Sequence, residues 1–183
     1  MDAMVVYESV FGNTREIAEA VAQGLGGAAV LPVHDAAERR EKVDLLVVGG
    51  PTHMHGLATI RSRHVAADTV KKDGSSHIDP NATEEPGLRT WIDDLSPDAA
   101  DHAAAFDTRL EKSAWVTGRA ARGIARRLRR HGIDVVDTES FLVQGTEGPL
   151  EAGELERARE WGASLAQTLT ARTSAQSAQQ SLR

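Results

Sequence analysis

The chain has 183 residues, a length that one hydrophobic core can serve. It contains no cysteine, which excludes disulfides, thiolate catalysis and zinc–thiolate sites and suits a reducing cytoplasm. The net charge of -6 argues against nucleic acid as the main partner, no run approaches the roughly 20 apolar residues of a membrane helix, and the start Met1-Asp2-Ala3-Met4-Val5 lacks the basic and apolar regions of an export signal.

In chain order, residues 4–7 are a short β-branched run and read as strand one. Asn13 or Thr14 then opens a helix in which Ile17, Ala18, Val21, Ala22 and Leu25 recur at helical spacing, and Gly26-Gly27 ends it. Residues 28–33 form a weak second strand, followed by a short charged helix over 36–41. Residues 44–48 are apolar without alternation, as expected of a strand covered on both faces. Residues 59–72 read as helical and 73–87 as a long surface loop. A short helix over 88–95 places Leu88, Trp91, Ile92 and Leu95 on one face. Residues 103–106 are small and apolar and fit a tight central strand. A basic helix covers 117–130, a last strand lies in two pieces at 133–136 and 141–143, and a closing helix covers 151–169 with Leu155, Ala158, Trp161, Leu165 and Leu169 buried. From Thr173 the chain is Ser, Gln and Ala without periodicity, so the reading is one domain over 1–172 and a disordered tail over 173–183. Strand–helix units repeated about five times mean a doubly wound α/β sheet, whose ligands sit beyond the carboxyl ends of the strands.

The loop after strand one is Ser9-Val10-Phe11-Gly12-Asn13-Thr14, joining a buried strand to a helix N-terminus. Free backbone N–H groups and the helix dipole favour an anion there, Gly12 permits a tight turn, and Ser9, Asn13 and Thr14 add donors. A phosphate could be held without lysine. The other reading is an ordinary turn capped by Asn13 or Thr14. The nucleoside-triphosphate loop is absent, and Gly24-Leu25-Gly26-Gly27-Ala28-Ala29 follows a helix rather than a strand, so it reads as a helix terminator.

In its sequence and its place, the run Ser9-Val10-Phe11-Gly12-Asn13-Thr14 resembles the phosphate loop of the flavodoxin family, and the resemblance extends through the five strand–helix units to about Leu169. It implies a five-stranded parallel sheet of order 2-1-3-4-5 with FMN as cofactor. By that resemblance the segment Gly49-Gly50-Pro51-Thr52-His53-Met54-His55-Gly56 lines one face of the isoalloxazine ring. Thr52 and the backbone, including that of Pro51 and Gly56, would bond ring heteroatoms, and His53, Met54 and His55 would lie against the ring. The His-x-His spacing lacks a third ligand nearby, so no metal is assigned.

Strand four ends at Phe106-Asp107-Thr108-Arg109, and Asp107, Thr108 and Arg109 correspond to the family's loop on the pyrimidine side of the flavin. That loop often carries a stacking tyrosine, whereas the single tyrosine here, Tyr7, lies inside strand one; Phe11, Trp91 and Trp115 are the remaining stacking candidates. Arg109 beside the ring would stabilise the anionic reduced flavin and favour two-electron transfer; the other reading is a surface arginine paired with Asp107 or Glu111. Arg119, Arg122, Arg126, Arg127, Arg129 and Arg130 crowd the basic helix, either as a docking patch for an acidic partner or nucleic acid, or as a solvated face.

The function these features imply is an FMN-binding redox protein. It would be an oxidoreductase between a nicotinamide or protein donor and a quinone-like or protein acceptor. The alternatives are a one-electron carrier and a flavin-free binding or regulatory protein on the same fold. The partners expected are a redox protein or a small-molecule donor or acceptor, with no nucleic acid and no membrane span; oligomerisation is left open.

Overall fold

The first apolar run forms β1, Ala3–Tyr7, with Val5 and Val6 fully buried on its opposite faces. The structure is a computed structural model that describes residues 1–39, 41–53, 56–57, 78–111 and 118–180. β1 lies between β2, Ala29–Pro32, and β3, Val43–His53, pairing in parallel with both. β3 pairs in parallel with β5, Ala100–Leu110, which pairs with β6, Asp134–Val143. β4, Gly56–Leu57, folds back antiparallel on the end of β3. Counting the five parallel strands alone, their order is the expected 2-1-3-4-5.

Pleating divides the core in two. Val6, Leu46, Val48, Ala103 and Ala105 face helices α3, Leu88–Asp93, and α4, Ala120–Arg130. Val5, Leu45, Val47, Ala104 and Phe106 face α1, Asn13–Gly24, and α5, Glu154–Gln180. On the second face Phe106, Phe141 and Trp161 meet edge to face with centroids 6.0–6.2 Å apart, a favourable aromatic geometry. The Phe106 ring lies over Gly49, where a Cβ would come within 2.0 Å of its Cζ.

Four elements differ from the sequence reading. The helix expected over 36–41 is α2, Val33–Ala36, because burial of Val33 and Ala36 draws this turn onto the sheet and leaves the charged residues after it outside. The basic helix begins at Ala120, since Gly118 and Arg119 have φ of 74° and -143°. The last strand is continuous, with a register shift that leaves Val136 as an extra residue between Val135 and Asp137. Its acidic middle is that of an edge strand, which hid the continuity. The closing helix runs to Gln180, so the tail from Thr173 is helical through that residue. Residues 171–175 are exposed, and a helix with no core to face shows no apolar period. The helix expected over 59–72 lies outside the described residues.

Helices α1 and α5 cross where neither has a side chain. A Cβ on Gly24 would sit 2.0 Å from the Arg159 carbonyl oxygen, and one on Gly162 would sit 2.3 Å from that of Val21. Gly162→Ala should therefore destabilise the fold by about 1–3 kcal/mol through overpacking, read as a lower urea midpoint with the slope unchanged; an unchanged midpoint would show that the helices can move apart freely.

Tyr7 is the single tyrosine of the chain. Burial and the charge of Asp79 push its phenol up to about 12. Because the folded chain holds this proton more tightly, stability is unaffected below pH 10.0 and falls toward pH 12, by about 1.4 kcal/mol per unit. Phenolate absorbance should titrate near 12 in the native protein and near 10.0 in urea. A native midpoint at the lower value would mean a solvated ring.

Candidate functional site

At the carboxyl edge of the sheet, β1 runs into a loop whose geometry is set by Gly12. Its φ of 89° is left-handed, a conformation that costs side-chain-bearing residues energy. Gly12 is the N-cap of α1 and has no side chain with which to cap it. The Ser9 hydroxyl accepts the Gly12 N–H at 3.1 Å and so shapes the loop from within. Val10 is buried, and its carbonyl accepts the Asp79 N–H at 2.8 Å. Asp79, itself buried, faces Arg15 with Nη1 3.3 Å from its carboxylate.

Asn13 and Thr14 do not cap α1. The Asn13 side-chain amide donates to the Glu147 carbonyl at 2.9 Å, and the Thr14 hydroxyl meets that of Thr108 at 2.8 Å. The chain after β6 thus closes over the loop. Gly148 approaches Asn13 so nearly that a Cβ would lie 2.5 Å from its Oδ1. Gly148 also has φ 109°. This part of the site was missed in sequence. Gly145, Gly148 and Pro149 mark a turn, but only the fold sets that turn beside residue 13.

The residues expected in loops after strands three and four lie inside strands. Pro51, Thr52 and His53 belong to β3, with His53 paired to Gly56 of β4. Asp107, Thr108 and Arg109 belong to β5, in register with Ser140, Phe141 and Leu142 of β6. Pairing of Pro51 with β5, of Thr52 and His53 with β4, and of residues 107–109 with β6 keeps these segments extended. Met54 and His55 lie outside the described residues, as does Trp115. Trp91 is no stacking candidate, because its ring packs in the core beneath α3.

A cleft of about 80 Å³ opens where these strand ends meet. Ser9, Val10, Phe11, Asn13 and Thr14 line it on one side, and Pro51, Thr52, Thr108, Arg109 and Leu110 on the other, with Val143 and Thr146 beyond. This volume accommodates a group the size of a phosphate, given about 30 Å³ for one water molecule. Arg109 contributes a positive charge, with Nη1 donating to the Leu110 carbonyl at 3.2 Å.

Thr52, on the cleft wall, and Asp107 are also tied to α4. The Asp107 carboxylate is fully buried, and its Oδ2 accepts the Ala121 N–H at 2.8 Å and the Thr52 hydroxyl at 3.1 Å. The Thr52 oxygen accepts the Ala120 N–H at 3.0 Å. Together they cap the first turn of α4 from residues 55 apart in sequence. Glu8 does the same for α3, its Oε2 accepting the Leu88 N–H at 2.9 Å. Burial raises the Asp107 pKa, opposed by the Ala121 N–H, Ser140, Thr52 and the charge of Arg109.

Among the described residues no cluster of three His, Asp or Glu could hold a metal, and no helix is long and apolar enough to cross a membrane.

This architecture is that of a doubly wound, flavodoxin-like protein. A family model described as a flavodoxin domain matches residues 4–69. An oxidised flavodoxin 2 from Bacillus cereus is similar at 14% identity and a TM-score of 0.56, over 92% of this chain and 99% of that one. A flavodoxin from the domain Archaea is similar at 17% identity and 0.52, over 93% and 99%. A short-chain flavodoxin associated with a bacterial microcompartment is similar at 13% identity and 0.55, over 92% and 99%. No curated protein matches the chain. The family model matches just over a third of the chain, and these solved structures share its fold.

The cap on α4 makes a test of its own. Asp107→Leu leaves the Ala121 N–H and the Thr52 hydroxyl without their acceptor and should cost about 1–3 kcal/mol for each group. Asp107→Asn keeps an acceptor oxygen and should cost far less. The raised pKa means that the folded state holds this proton more tightly, so stability falls as pH rises from 3.8 to the folded-state value. Thermal melts across that window should fall less steeply in Asp107→Asn than in the parent; identical slopes would mean that the carboxyl is solvated.

Proposed function

We propose that this protein binds FMN with its phosphate at residues 9–14 and acts as a redox protein. In the finer reading it is an oxidoreductase that passes electrons between a nicotinamide or protein donor and a quinone-like or protein acceptor. One observation carries the reading. At the carboxyl edge, carboxylates take up first-turn N–H groups of α3, through Glu8, and of α4, through Asp107 with Thr52 beside it, while among the described residues no carboxylate accepts a first-turn N–H of α1. That end of α1 borders the cleft. An anion there would take up first-turn N–H groups that the fold satisfies elsewhere with carboxylates.

The residues fit that group. The Ser9 hydroxyl accepts from Gly12, which leaves its hydrogen free to donate. In the Thr14–Thr108 pair one hydroxyl hydrogen is used between them and the other is available. Arg109 adds a positive charge on the cleft wall, partly offset by Asp107. That charge favours two-electron chemistry, as an enzyme needs, over the role of a one-electron carrier. Flavin bound here would supply the electron-transfer chemistry, and the chain would bind, orient and tune it. No side chain is assigned as acid, base or nucleophile.

Titration of the flavin-free protein with FMN and with riboflavin tests the reading. FMN should bind more tightly by tenfold or more. Ser9→Ala and Thr14→Ala should each weaken FMN by about 10- to 100-fold, the value of a hydrogen bond to a charged group. Gly12→Val should nearly abolish binding, because a β-branched residue resists φ of 89°. Equal affinity for riboflavin would show that the loop holds no phosphate, and no binding of either would favour the flavin-free alternative.

A further inference from the structure

Helix α4 carries Arg122, Arg126, Arg127, Arg129 and Arg130 and no acidic residue. Its apolar side is fully used, with Ala120, Ala121, Ile124, Ala125 and Leu128 buried against the sheet. The arginines of the other long helices have carboxylate partners, most on their own helix and Arg172 of α5 on Asp134 of β6. Arg15 faces Glu19 at 3.9 Å on α1, and on α5 Arg157 meets Glu154 at 2.7 Å and Arg159 meets Glu156 at 3.0 Å. On α4, Arg127 faces Asp93 at 3.6 Å and Arg129 reaches the Val135 carbonyl at 3.4 Å. Arg119, Arg122, Arg126 and Arg130 are exposed, and among the described residues none has an ion-pair partner.

The helix dipole explains the cations of the last turn, Arg127, Arg129 and Arg130, and not those of the first. Arg119 is the N-cap and Arg122 lies in the first turn, where a positive charge is disfavoured. Arg122 and Arg126 are four apart and share a face, which Arg129 and Arg130 continue for about 12 Å. Thr52 and Asp107 tie the start of this helix to the strand ends beside the cleft.

We propose that the arginine face of α4 is a docking surface for the acidic face of a partner protein. Arginine forks match carboxylates in bidentate geometry and are enriched in protein interfaces. The chain's net charge of -6 disfavours a long polyanion, which would meet repulsion beyond the patch, whereas a folded partner can place its carboxylates on the patch alone. A lipid surface fits less well. The helix has no apolar residue to insert, and the one large hydrophobic residue exposed among the described residues is Met1.

The test uses the protein as purified, with fluorophore-labelled hexaglutamate, a peptide short enough to sit on the patch alone, as the probe. Binding measured by fluorescence anisotropy should weaken steeply and linearly on a log–log plot as salt rises. The Arg122→Gln/Arg126→Gln protein should bind at least tenfold more weakly with its circular dichroism and thermal midpoint kept. Arg159→Gln, which changes an arginine paired on α5, should bind as the parent does. Three results would each overturn the proposal: affinity of the parent insensitive to salt, equal affinity in the double variant, or tighter binding of duplex DNA or phosphatidylserine vesicles than of hexaglutamate. Binding here does not require flavin, so failure would leave the FMN reading standing, and failure of FMN binding would leave this one.

Discussion

The position of α1 governs the rest of the site, and it is fixed by backbone meeting backbone. With no side chain at Gly24 or Gly162, α1 and α5 approach until the Arg159 and Val21 carbonyls are where a methyl would be. The buried residues Ile17, Val21, Ala158, Trp161 and Leu165 fill the space between these helices and the sheet. A helix held this firmly cannot slide along its axis to relieve its first turn. Its N-terminus is therefore delivered to the carboxyl edge beside β1, and the chain reaches it through the left-handed turn at Gly12.

Around that end the protein spends its carboxylates on other helices. Glu8 leaves β1 and turns to α3, and Asp107 turns from β5 to α4. Asp79 caps the turn at Asn81 with one oxygen and faces Arg15 with the other. Each is buried, and each has backbone N–H groups or a cation to offset the loss of water. None is placed on the first turn of α1. Glu16 stands in that turn, but none of these buried carboxylates takes up its N–H groups, at the edge where ligands of parallel sheets bind.

The parts legible in the sequence were those set by local pattern. The unbroken apolar run of β3, the helical period of α1 and the Ser-x-x-Gly-Asn-Thr loop each carry their signal within a dozen residues. The cap on α4 joins residue 52 to residue 107 and both to residue 120 or 121. The Asn13 contact reaches 134 residues along the chain. No period or motif encodes pairs at such separations, so the helix-capping bonds of Thr52 and Asp107 were not legible in the chain. The strand ends were read short for a related reason. Pro51, Thr52, Asp107 and Thr108 look like loop residues, and their neighbours in β3, β5 and β6 hold them extended.

Asp107 links the two surfaces of the molecule that carry chemistry. One residue further along β5, Thr108 binds the Thr14 hydroxyl within the cleft. Asp107 itself, on the opposite face of the pleat, anchors the first turn of α4. Its negative charge also opposes the unfavourable field that Arg119 and Arg122 meet at a helix N-terminus. The arginine face can therefore start where a helix would ordinarily carry acid, directly beside the cleft. The desolvation that raises the pKa of this one buried carboxylate thus has a structural return in the placement of α4.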